Sequence, residues 1–189
     1  MKTKILGLLA VGLLAGPMAA SALVIDTNAT WDGNINSGWL GSGQSITVDV
    51  VDNFFDDIGF YFDDASLGRT FDLGIFDALN GGTQLFGTSF VVGSGINVIS
   101  IGQAFSPGSL LYVQMDYRGF AGSTAHFSVI DGYAGGNSSF GPIGSQSATP
   151  SLDHRFIANF SSVAVPEPGT LALLGLGLAG LGLSRRRKA

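Results

Sequence analysis

Between roughly residues 23 and 163 few stretches of the chain hold a helical period for even ten residues; instead, short runs alternate apolar and polar residues and are cut by glycine. Ile46-Thr47-Val48-Asp49-Val50, Ile58-Gly59-Phe60-Tyr61-Phe62 and Phe71-Asp72-Leu73-Gly74-Ile75 each carry the two-residue period that puts one strand face in a core. Further strands are expected at Gln84 to Val92, Ile96 to Ile101, Leu110 to Tyr117, Ala125 to Ile130 and Arg155 to Phe160. Asn80-Gly81-Gly82, Gly93-Ser94-Gly95, Pro107-Gly108 and Asp131-Gly132 supply the backbone freedom or preset proline φ at which such a chain reverses. This pattern predicts an all-β body, a two-sheet sandwich of jelly-roll type. Gly132 to Pro150, rich in glycine and serine without a period, reads as a long mobile loop. Trp31, Trp39 and most of the 14 phenylalanines are expected in the core.

The two ends obey different rules. Met1 to Ala22 has Lys2 and Lys4, an apolar stretch from Ile5 to Ala15, Gly16-Pro17, and small residues through Ala20 and Ala22. These are the parts of a secretory signal peptide, with cleavage expected before Leu23 and the Sec export machinery as partner. At the other end, Val165-Pro166-Glu167-Pro168 precedes an apolar run, Leu171 to Leu183, and then Arg185, Arg186, Arg187 and Lys188. Prolines stop regular structure, the apolar run partitions into hydrocarbon, and the cations hold the cytoplasmic side. A single transmembrane helix is expected there. Thr170 to Ser184 spans 15 residues, short of the roughly 20 that cross a bilayer comfortably, which suits a temporary anchor. The expected segments are therefore 1–22, 23–163 and 164–189. Gly175-Leu176-Gly177-Leu178-Ala179-Gly180 spells a dinucleotide fingerprint, but it lacks the preceding strand and the following amphipathic helix that the fingerprint requires.

The order Pro-Glu-Pro, apolar run, basic cluster resembles the PEP-CTERM sorting signal of exported proteins in Gram-negative bacteria, over Val165 to Ala189. The resemblance implies that an exosortase, a membrane protease or transpeptidase found in strains that make exopolysaccharide, recognises Pro166, Glu167 and Pro168. Leu171 to Leu183 would then be the anchor and Arg185 to Lys188 the stop-transfer cluster. It also implies transit through the inner membrane to the cell surface or extracellular matrix. An ordinary permanent anchor is the competing reading. Within the body, the run from Gly43 to Tyr117 looks like the β-sandwich modules of bacterial extracellular adhesion and carbohydrate-associated proteins.

Charge narrows the function classes. The end segments take six of the nine basic residues, which leaves Arg69, Arg118 and Arg155 against thirteen acids, a body charge near −10. Such a surface repels DNA and RNA, so nucleic acid is excluded as a partner. The chain has no cysteine, which removes thiol chemistry and disulfides. Acids concentrate at Asp49, Asp52, Asp56, Asp57, Asp63 and Asp64, with Asp52 to Asp57 read as a turn between strands. Oxygen-rich loops of this kind hold calcium, and Asp49, Asp52, Asp56 and Asp57 are the candidate ligands; the spacing is not that of an EF-hand, and a solvated, aggregation-resistant edge is the alternative. No other cofactor is expected. His126 and His154, both read as surface or strand-end residues, come with no nucleophile motif, so no catalytic residue is assigned. Tyr61, Tyr112, Tyr117 and Tyr133 would stack on sugar rings if exposed. The expectation is a non-enzymatic surface or matrix protein, structural or adhesive, that associates with exopolysaccharide or with other matrix proteins in a biofilm. The alternatives are a secreted polysaccharide hydrolase using a carboxylate pair and a calcium-dependent matrix-binding module.

Overall fold

The computed structural model describes residues 22–34, 38–122 and 125–162. The signal-peptide residues before Ala22, the sorting motif, the apolar run and the basic cluster lie outside them. Twelve strands follow in order: β1 (Ala22–Asp26), β2 (Gly41–Thr47), β3 (Phe54–Tyr61), β4 (Thr70–Phe76), β5 (Gln84–Val91), β6 (Ile96–Ala104), β7 (Leu110–Asp116), β8 (Phe127–Ser128), β9 (Ser138–Phe140), β10 (Ser147–Thr149), β11 (Asp153–His154) and β12 (Phe156–Ser161). They form a four-stranded sheet in the order β1-β12-β3-β6, a six-stranded sheet in the order β10-β9-β2-β7-β4-β5, and a small β11-β8 pair, antiparallel throughout. The body is the expected all-β two-sheet sandwich. Among the described residues no helix is long and apolar enough to cross a membrane.

Alternation builds the core. In β12 Phe156, Ala158 and Phe160 point inward while Ile157, Asn159 and Ser161 point out; Phe55, Ile58 and Phe60 from β3 and Ile99 and Ile101 from β6 complete that wall. Phe71, Leu73 and Ile75 of β4, Leu111, Val113 and Met115 of β7, and Ile46 of β2 face them from the other sheet. Each fully buried side chain of this size contributes about 1.5–3 kcal/mol. Phe55 stacks on Phe160 with ring centroids 4.3 Å apart.

Several sequence expectations need correcting. The strand expected at Ile46 to Val50 lies earlier, at Gly41–Thr47, because the Asp49 carboxylate accepts the backbone N–H groups of Val51 and Asp52 and closes a turn there. Asp56 and Asp57 belong to β3 rather than to a turn. Gly132 to Pro150 is not a free loop: it contains β9 and β10, which extend the six-stranded sheet, and Ser138, Ser139 and Gln146 are buried. Asn80 anchors it, donating through Nδ2 to the Gln146 carbonyl at 2.8 Å and accepting the Gln146 N–H at 2.9 Å. Of the strand expected at Ala125 to Ile130 only Phe127–Ser128 and a bridge from Ala125 to Phe62 form, and Val129 and Ile130 are exposed. Trp39 is 47% exposed rather than a core residue. His154, expected at the surface, is fully buried.

Candidate functional site

The outer face of the four-stranded sheet collects the most distinctive side chains. Because β12 alternates, Arg155 falls in phase with Ile157, Asn159 and Ser161 on that face; Tyr61, Gly59 and Asp57 do so from β3, and Ile96, Val98 and Ser100 from β6. At the end where β12 begins, four residues form layers. The Trp31 and His126 rings lie parallel, 4.6 Å apart at a 2° angle, and Tyr61 is nearly parallel to His126 at 6.4 Å. The Arg155 guanidinium fills the same slot, 4.2 Å from the Trp31 ring and 3.8 Å from the Tyr61 ring. Arg155 donates to Asn28 Oδ1 at 2.7 Å, and its Nη1 lies 3.3 Å from His126 Nδ1. The Trp31 indole N–H is held by the Asn34 carbonyl at 2.9 Å. Burial, and then the Arg155 charge, lower the His126 pKa, against a weaker opposing pull from Asp63. His126 is therefore neutral at pH 7, the state a neighbouring guanidinium favours.

The middle of the face is apolar. Gly59 forms its floor: a Cβ there would meet Ile96 Cδ1 at 2.6 Å and Val98 Cγ2 at 3.4 Å, so these two side chains lie directly over the glycine. Gly59 pairs with both Val98 and Ile157, so the strip runs from β6 across β3 to β12, and the exposed Asp26 of β1, which pairs with Ile157, ends it. Where β12 ends, the face becomes acidic and hydrogen-bonded: Asn159 Nδ2 donates to Asp57 Oδ1 at 2.6 Å, and Ser161 Oγ to Asp56 Oδ1 at 3.1 Å.

Under the layered residues lies a buried polar centre. Asp153 accepts from Gln44 Nε2 at 2.7 Å and from the N–H groups of Gly132 and Tyr133, both at 2.8 Å. Burial raises its pKa, against those hydrogen bonds. The His154 N–H donates to Gln44 Oε1 at 2.9 Å, and Nδ1 lies 3.2 Å from the His126 carbonyl, which ties this centre to the backbone of the layered site. His154 Nε2 makes no hydrogen bond, and burial lowers the pKa to about 4 although nearby carbonyls pull it upward. Both side chains are closed off from solvent.

The four candidate calcium ligands are not equivalent. Asp49 is occupied with its turn, and Asp56 and Asp57 with Ser161 and Asn159. Asp52 is 3% exposed, and its Oδ1 has no hydrogen-bond partner. Among the described residues no three His, Cys, Asp or Glu side chains group as a metal site. Among the described residues, two of the surface depressions lie at the end of the sandwich where β12 finishes. One, of about 580 Å³, has Asp77 as its single carboxylate, among Gln103, Phe105 and Tyr112; the other, of about 340 Å³, has only Asp49, beside Tyr133 and Leu23. Of the tyrosines expected to stack on sugars, Tyr61 is half-buried in the layered site, and Tyr117 is buried against Ser42. Tyr133 is bonded to Thr47, and Tyr112 is half-buried. Trp31 and Arg155 were absent from the sequence-based site; the one available signal, an arginine alternating outward beside a histidine, is too common to single them out.

Comparison with known proteins bears on the tail. The description "PEP-CTERM protein-sorting motif" matches residues 164–188. The chain carries a PEP-CTERM sorting motif. That motif implies export, processing by an exosortase, which is a membrane protein, and membrane-anchored sorting to the surface. Among solved structures the chain is similar to the cysteine protease and lectin-like domains of Cwp84, a surface layer associated protein of Clostridium difficile. The identity is 16% and the TM-score 0.46, over 66% of this chain and 32% of that one. The PEP-CTERM chain thus matches about a third of the length of that solved chain, a likeness too distant to transfer a function. No curated protein matches the chain.

Proposed function

We propose that this is a non-enzymatic surface protein, delivered by exosortase sorting, whose body holds neutral exopolysaccharide on the outer face of the four-stranded sheet within a biofilm matrix. The observation that carries the reading is the layered Trp31, Arg155, His126 and Tyr61 arrangement bordering an apolar strip, the kind of surface on which the apolar faces of sugar rings stack. Neutral rather than acidic sugars are favoured because every arginine of the body is already engaged. Arg69 lies 3.8 Å from the Phe120 ring, Arg118 pairs with Asp72 at 2.6 Å, and Arg155 is in the layers. The near −10 charge would repel an acidic polymer. Position supports display. The layers stand at the start of β12 and the sorting tail follows its end, roughly 17 Å away along the strand.

The test is calorimetric titration of the protein, released from cells, with neutral and acidic polysaccharide fractions from the producing strain. Tyr61→Ala, checked for an unchanged circular dichroism spectrum, should weaken neutral-fraction binding about tenfold or more, the loss of one stacking wall. Equal binding by wild type and variant would refute the site, and release of new reducing ends by the wild type would refute the non-enzymatic reading.

A further inference from the structure

A second surface is set apart by what it lacks. No charged residue occurs between Asp77 and Asp116, a stretch that includes β5, β6 and β7. β7 is interior, but β5 and β6 are edge strands, one in each sheet. Antiparallel edges left open are templates for further pairing, and proteins ordinarily guard them with charge, proline or short length. The other two edges follow that rule: β10 has three residues and runs into Pro150, and β1 has five and ends in Asp26. β5 and β6 have eight and nine residues with neither guard.

The two unguarded edges are not equally available. On β5, the Leu85 carbonyl accepts from Gln103 Nε2 at 3.4 Å, and Ser89 is tied to Asp72 and Arg118. On β6, the pairing with β3 is irregular toward Gln103, where Gly102 takes φ 65°, while Ile96 through Ser100 is regular. That regular segment presents Val98, 58% exposed, at its centre. Charge selects the occupant. Two bodies each near −10 repel over most orientations, and a charge-free segment is where a second copy approaches with the least repulsion.

We infer that the protein self-associates as a two-fold dimer through antiparallel pairing of β6 with β6 of a second copy, centred on Val98. The two four-stranded sheets then form one continuous eight-stranded sheet. Ile96 lies opposite Ser100 of the partner copy, and the apolar strip of each body runs on into the next. Pairing closes the edge of both copies at once, so assembly stops at two, as an isologous contact must.

The absence of native cysteine makes the test direct. In the protein purified from culture, Val98→Cys should oxidise to a disulfide-linked dimer, while Val24→Cys, equally exposed at 55% on the opposite edge, should not. By sedimentation the wild type should be dimeric, and Val98→Lys should weaken the dimer at least about tenfold by placing like charges opposite each other across the axis, with the circular dichroism unchanged. A monomeric wild type at high micromolar concentration, or a dimer broken by Val24→Lys and not by Val98→Lys, would overturn the inference. Association is measured without polysaccharide, so a monomer that still binds neutral sugar refutes the pairing and leaves the proposed function standing.

Discussion

Acidification should destabilise this body, and the largest contribution comes from His154. It is fully buried, and its pKa falls from the ordinary 6.5 to about 4. Since the folded state holds the imidazole neutral, the unfolded chain binds the extra proton as pH drops below 6.5. The stability is complete above that value and is lost progressively toward pH 4. Linkage across these two pKa values gives a loss of about 2 kcal/mol between pH 7 and pH 5, and about 3 kcal/mol by pH 4. For a domain with a total stability of roughly 5–15 kcal/mol that is a large fraction. Asp153, raised by burial, acts in the opposite direction, and His126, lowered, acts in the same one. The assay must therefore isolate His154. Urea unfolding of wild type and His154→Gln at pH 7 and pH 5 does so, because the other groups remain in both proteins. The variant should be less stable at pH 7 from lost packing against Phe60 and Phe140, yet lose about 2 kcal/mol less than wild type on going to pH 5. Equal losses in the two proteins would show that burial does not suppress protonation of His154.

Two further outcomes follow from particular contacts. Gly43→Ala should destabilise by at least about 2 kcal/mol in thermal melts, because the new methyl group would sit 2.6 Å from the Val113 carbonyl oxygen of the neighbouring strand; a melting temperature within a degree of wild type would contradict the close approach of β2 and β7. Asp52 decides the calcium expectation: a cation on its unpartnered Oδ1 requires that millimolar calcium raise the melting temperature of the wild type and not that of Asp52→Asn, and identical curves with calcium and with chelator would eliminate it.

The sequence revealed the sandwich because its largest strands alternate in plain view: Phe71 to Ile75, Ile96 to Ile101 and Leu110 to Tyr117 all lie where periodicity puts them. It concealed the elements whose partners are remote. β2 begins Gly41-Ser42-Gly43, which reads as a turn, yet the missing side chains are what let β7 and β9 close in from both sides. β9 and β10 carry no apolar alternation, and are fixed by polar contacts such as Asn80 with Gln146 and Ser45 with Asn137. β1 went unread because its short alternation abuts the expected cleavage point; Ala22 pairs with Ser161, and cleavage before Leu23 would leave most of the strand in place. The layered site draws on residues 31, 61, 126 and 155, one from each of four separate segments, so no local pattern could assemble it.

The position of β12 sets an order of events. The last strand of the body is not added at an edge; it lies between β1 and β3, bonded to both. If the chain emerges on the far side of a membrane in N-to-C direction, β1 would have no partner and the Phe55 and Phe60 wall would stay open until residues 156–161 had crossed. Such contacts between distant parts of a chain form slowly and late. If the chain crosses in that direction, the four-stranded sheet can close only as the sorting motif, which starts a few residues further on, arrives. An exosortase acting on the tail at that moment would meet a body that has only just closed.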